Sequence, residues 1–268
     1  MMQGVRYFKT AAVIFALLAI FCFRLSAAED YSRYVKRRKS EVHIERIPQV
    51  SQKRSYCCPA SVSMIIRYFD GRVSQSRLAK LFSTSKKQGT FSKEMLEEFS
   101  QGRLKDYEIR RVYALTNIEA LKLVEAYNNA LKSSGKRRKS KSGQITLESK
   151  MFSKMNPSIA RRVFPGQRKQ LAEMMKAYFA HCIDKGIPML WAVTMNFDPN
   201  DRMDGGHMRI IVGYVKENGE ITKVIYRDPW GGRTILKKMS FDDALTITLE
   251  LHVIAPKELN FFASNTGE

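Results

Sequence analysis

The hydrophobic period changes part-way along the chain, and this change restricts the fold more than any other feature. Up to about residue 186 the apolar positions recur at helical spacing. Val62, Ile65, Ile66 and Phe69 share one helix face in 59–69. The stretches "TNIEALKLVEAYNNALK" (116–132) and "GQRKQLAEMMKAYFAHCIDKG" (166–186) read as further helices. Two shorter ones lie between 69 and 116, "SQSRLAKLF" capped by Ser74 and "SKEMLEEFS" capped by Ser92, with Glu94 in the first turn of the latter. From residue 188 onward the runs 188–197, 207–215, 220–228, 232–239 and 246–255 are β-branched and aromatic, with turn residues between them. Helices followed by strands imply an α+β protein, an N-terminal helical half leading into an antiparallel sheet.

The ends of the 268-residue chain read differently. Arg6 and Lys9 precede an apolar run from Ala11 to Phe23, and small residues Ser26 and Ala28 stand where a signal peptidase cuts. Residues 1–28 are therefore expected to be an export signal, with an uncleaved anchor as the alternative. The run is shorter than the roughly 20 residues of a spanning helix. Residues 29–46, with "KRRKS" at 36–40, read as a basic flexible arm. A single domain is expected over 47–256, with a helical and basic insertion at about 116–170 and a tail at 257–268. The net charge of +20 favours weak contact with an anionic cell-envelope surface. No basic run is interleaved with aromatics, so specific nucleic-acid recognition is not expected.

The stretch "SYCCPAS" (55–61) places Cys57 and Cys58 at the start of a helix, just before Pro59. The positive end of a helix and its free N–H groups stabilise a thiolate, so a nucleophile is one reading. A structural pair of small residues is the other. Adjacent cysteines lack the spacing of metal ligands, and no metal or other cofactor is expected. Without Cys22, which lies in the signal, three cysteines remain. A disulfide from Cys58 to Cys182 would leave Cys57 free.

A thiolate nucleophile needs a base held by a third group. His43 sits in the basic arm and is expected to be exposed, His181 ends a helix, and His252 lies in an apolar strand. His207 opens a strand after two glycines, in "DGGHMRIIVGY". If Lys216 to Gly219 turn the chain, His207 faces Asp228; a two-residue "NG" turn would pair it with Trp230 instead. Either register leaves His207 and Asp228 on one face of neighbouring strands. Gln52, with Gln49 as fallback, lies upstream of Cys57 as a candidate oxyanion donor.

These segments resemble the bacterial C39-type cysteine peptidases. The likeness runs through "SQKRSYCCPASVSMIIRYFDG", the stretch after it, and "GGHMRIIVGY … VIYRDPWGG", covering roughly 47–92 and 188–250. It implies a papain-like fold and thiol-dependent cleavage of peptide or protein substrates. Carried over, Cys57 is the nucleophile, His207 the base, Asp228 its orienter and Gln52 the oxyanion donor. Cys58 occupies the family's usual glycine position, and the spacer from Gln52 is one residue short, which leaves Cys58 as the alternative nucleophile. A non-catalytic binding module on the same shell, or a thiol acyl transferase or amidase, are the competing functions.

Overall fold

One buried helix and one long strand organise the molecule. The computed structural model describes residues 29–133, 151–201, 203–230 and 236–263. In chain order these form β1 (Val35–Arg37), β2 (Glu41–Ile44), α1 (Cys57–Tyr68), α2 (Gln75–Leu81), α3 (Ser92–Ser100) and β3 (Tyr107–Ala114). Helices α4 (Asn117–Ser133), α5 (Pro157–Gln167) and α6 (Lys169–Tyr178) follow, the last running into a π-helical turn at Phe179–Ile183. Then come β4 (Met189–Thr194), β5 (Gly206–Glu217), β6 (Glu220–Arg227), β7 (Lys237–Ser240), α7 (Phe241–Ile247) and β8 (Thr248–Pro256). The expected α+β class and antiparallel sheet are observed. The export signal expected over 1–28, and the basic stretch "KRRKS" at 136–140 within the expected insertion, lie outside the described residues.

Helix α1 is apolar all round, and ten of its twelve residues are buried, as suits a helix enclosed by the core. Its interior serines are satisfied. Ser61 Oγ donates to the Met208 carbonyl at 3.1 Å and Ser63 Oγ to the Val73 carbonyl at 2.7 Å. Pro59 lies in the first turn, where a missing N–H costs no helical bond.

The sheet is assembled around β5. Ile210 and Ile211 pair with β4 and also with β6, so these two strands flank β5 on opposite sides. The path runs β1-β2-β5-β4-β8-β3, with β7 beyond β6. Gly213 makes the β2–β5 contact feasible, because a Cβ there would stand 2.3 Å from the Val42 carbonyl oxygen. The β5–β6 hairpin closes at Glu217↔Glu220 through Asn218 and Gly219, which have φ of 52° and 85°. This is the two-residue turn. The four-residue turn over Lys216–Gly219 is not formed, and two irregularities in the ladder cancel.

Several sequence expectations are corrected. Residues 29–46 are not a flexible arm. β2 pairs with β5, Ile44 is fully buried, and His43 is buried rather than exposed. Tyr31 stacks edge-on against Phe69 at 4.8 Å, and Tyr34 packs on Tyr68. Those apolar and aromatic contacts outweigh the solvation of the basic residues beside them. Within the expected tail, residues 257–263 are docked as well, with Phe261 and Phe262 buried. Within 116–170, α4 and α5 pack together, and the Asn156 N–H donates to the Tyr127 hydroxyl at 2.7 Å. The run 166–186 is not one helix, because α5 ends at Gln167 and α6 begins two residues later. Strand β3 and helices α5 and α7 were not anticipated.

Candidate active site

The first turn of α1 carries Cys57. No side chain caps this helix, since Tyr56 makes no capping bond. Its N–H groups are therefore free to face an anion. The His207 imidazole and the backbone N–H groups of Met208 and Cys58 favour the ionised Cys57 sulfur. Burial alone would push this thiol up, but these groups and the charge of His207 outweigh it, and its pKa is lowered.

His207 stands at the second residue of β5 and is buried. Its Nε2 lies 2.8 Å from Asp228 Oδ1, which leaves Nδ1 for the thiol. Burial opposes the charged imidazole, but the bonds to Asp228 and Cys57 prevail, and its pKa is raised. The Trp230 ring meets the His207 ring edge-on at 5.7 Å, and 46% of Trp230 is exposed.

Asp228 follows β6 and is held from several sides. The Trp230 N–H donates to Oδ1 at 2.8 Å, and Arg209 Nε donates to Oδ2 at 2.8 Å. Lys237 Nζ stands 3.7 Å from Oδ2. The desolvation of a buried carboxylate is overcome by His207, Arg209 and Trp230, so Asp228 stays well below the usual carboxylate range. Arg209 is fully buried, also bonds Asp198 through Nη1, and lies 4.8 Å over the Tyr226 ring. Sequence reasoning missed Arg209 and Asp198. A charged residue at an inward position of the apolar run "HMRIIVGY" was the available signal, because a charge there needs a buried partner.

Gln52 is brought near by its backbone, whose N–H donates to the Pro229 carbonyl at 2.9 Å. One side-chain N–H goes to the Arg54 carbonyl at 2.6 Å, and Oε1 is buried without a partner among the described residues. Gln49 is committed elsewhere, donating to the Asp228 carbonyl at 2.9 Å.

Cys58 points the other way. Its thiol is buried, 3.6 Å from Met95 Sδ, and burial raises its pKa well above the ordinary thiol range. Cys182 is likewise buried in the π-helical turn, and burial pushes it up to about 12. Both are free thiols, so the Cys58–Cys182 disulfide is not formed. His252 is fully buried and bonds Glu250 at 2.9 Å, while the His181 ring packs on Phe261. Among the described residues, no three or more His, Cys, Asp and Glu side chains group as a metal site.

Residues 43–244 match the family model described as Peptidase_C39 like family. No curated protein matches the chain. The matched segment contains α1 and the β5–β6 hairpin, and the α+β architecture with its antiparallel sheet agrees with a papain-like fold. The chain belongs to the Peptidase_C39 like family.

Proposed function

We propose that the protein is an exported cysteine peptidase in which Cys57 is the nucleophile, His207 its base and Asp228 the orienting carboxylate. The observation that carries this reading is the run from Cys57, at an uncapped helix end, to His207, which acts on its thiol, and on to Asp228, which His207 bonds. A lowered thiol beside a raised imidazole favours the thiolate–imidazolium pair near neutral pH. The burial and raised pKa of Cys58 count against it as the nucleophile.

The thiolate attacks a substrate amide carbonyl, forming the C–S bond as the carbonyl π electrons move to oxygen. The Cys57 backbone N–H and the second side-chain N–H of Gln52 are the donors for that oxyanion. The His207 imidazolium then passes its proton to the leaving amine, and the C–N bond breaks to leave a thioester. Neutral His207 next takes a proton from water, whose oxygen attacks the thioester. Cys57 leaves as thiolate, and the carboxylic acid product is released. Asp228 keeps Nε2 of His207 as the donating nitrogen, so Nδ1 faces the reaction throughout. Export rests on the pattern of residues 1–28, and the basic surface suits weak contact with an anionic envelope.

The test is iodoacetamide labelling at mildly acidic pH, read by peptide mapping. Fast modification of Cys57 that is lost in His207→Ala is expected. A slow reaction at Cys57, unchanged by His207→Ala, would favour a binding module instead. Release of free acid with water alone, against transfer to an added amine, separates hydrolysis from acyl transfer.

A further inference from the structure

Directly paired strand residues share a face of the sheet, and neighbouring strands lie about 4.8 Å apart. Met208 pairs with Ala192, and Ala192 pairs with Glu250. The three form a row across β5, β4 and β8, about 10 Å from end to end. Its first member is the residue whose N–H favours the ionised Cys57 sulfur. Its middle member, Ala192, has only a methyl side chain.

That far end is a carboxylate fixed in place. His252 Nε2 bonds Glu250 Oε2 at 2.9 Å, and the Ser92 hydroxyl at the start of α3 and, from longer range, Arg111 favour its charged form. Its charge is felt by the Cys58 thiol, which places Glu250 on the helical side of the sheet, where α1 begins. His252 is fully buried, and its Nδ1 has no partner among the described residues. Its polar contact is therefore given to the carboxylate alone. A quarter of the Glu250 side chain stays exposed at 25%. Asp228 and Trp230 meet His207 from the β6 side of β5, and Glu250 stands on the opposite side, beyond β4. An extended peptide lying across the strand ends passes both.

We propose that Glu250 selects substrates with a lysine or arginine close to the scissile bond, a specificity that rests on the peptidase reading above. A held, partly desolvated carboxylate rewards a cation and penalises an anion without the cost of ordering its own side chain.

The experiment compares peptidyl chloromethyl ketones that differ only in one side chain next to the warhead: lysine, acetyl-lysine or glutamate. The readout is the rate of Cys57 alkylation, which needs no turnover. The lysine reagent should react about tenfold or more faster than acetyl-lysine, with glutamate slowest. In Glu250→Gln the lysine advantage should fall to about twofold or less, whereas the exposed Glu258→Gln control keeps it. Equal rates for lysine and acetyl-lysine in the native protein would overturn the proposal with no variant required. So would a lysine preference that survives Glu250→Gln. If Cys57 resists every ketone and iodoacetamide alike, the peptidase reading fails and takes this specificity with it. Reaction without charge preference defeats the specificity alone.

Discussion

Replacing Arg209 with methionine removes the charge that two buried carboxylates share. Arg209 has no exposed surface, and it bonds Asp228 through Nε and Asp198 through Nη1. The side chains of these partners are 2% and 0% exposed, so water does not replace the lost donors. Asp228 keeps His207, the Trp230 N–H and, at longer range, Lys237. Asp198 keeps the Asn200 N–H at 2.8 Å on its other oxygen. Removing one member of a buried ion pair costs about 3–5 kcal/mol, chiefly from the charge left behind. With two carboxylates affected, Arg209→Met should lie in the upper part of that range. At about 2–4 °C per kcal/mol for a domain of this size, the midpoint of thermal unfolding should fall by about 8–20 °C. Urea unfolding should show the same loss with an unchanged m-value. The double variant Arg209→Met/Asp198→Leu should be less destabilised than the sum of the two single changes, because it removes an orphaned charge. A loss under about 1 kcal/mol, or strict additivity in the double variant, would refute the reasoning.

Peptide hydrolysis should follow a bell-shaped pH curve. The thiolate appears as pH rises through the lowered Cys57 pKa, and the imidazolium is lost as pH rises through the raised His207 pKa, so the window opens below the ordinary thiol range and closes above the ordinary histidine one. Initial rates across pH check this, and a curve that rises only through the usual thiol pKa contradicts it. Cys58→Ala should keep the iodoacetamide reactivity of Cys57, because the buried Cys58 thiol is not the one that ionises; loss of labelling in a folded Cys58→Ala protein would reassign the nucleophile. Ile44→Ala should cost about 2–5 kcal/mol, as truncation of a fully buried side chain does. A neutral result in denaturant would mean that β2 contributes nothing to the fold.

The elements legible in the sequence were those with a strong period or a local chemical signal. Helix α1 and the β5–β6 hairpin announced themselves through apolar spacing and the Asn218–Gly219 turn, and they carry Cys57, His207 and Asp228. Face parity survives a shift of two residues, so His207 and Asp228 could be placed together before the register was known. Strand β3 was hidden by Glu108, Arg110 and Arg111, which an edge strand with one exposed side tolerates. The docking of β1 and β2 was hidden for another reason. Charge density is local, whereas the partners of Tyr31 and Ile44 lie far along the chain. Arg209 was visible only as an oddity, because its justification is tertiary: two aspartates from different segments meet at one guanidinium. The same holds for Ser92. It was read as a helix cap, but it is the first residue of α3, and its hydroxyl favours the charged form of Glu250.

The pairing of β2 with β5 also has a kinetic meaning. Early and late segments meet throughout the site: Ser61 with Met208 over 147 residues, and Gln49 with Asp228 over 179. Contacts of such sequence separation form slowly, since a long loop must close before they repay its entropy. Cys57 is synthesised well before His207, the base proposed for it. Until β5 and β6 have emerged, the N-terminal segment has no strand to join and the thiol has no base. Under the proposed mechanism, topology alone delays activation of the thiol until the late strands have joined the sheet.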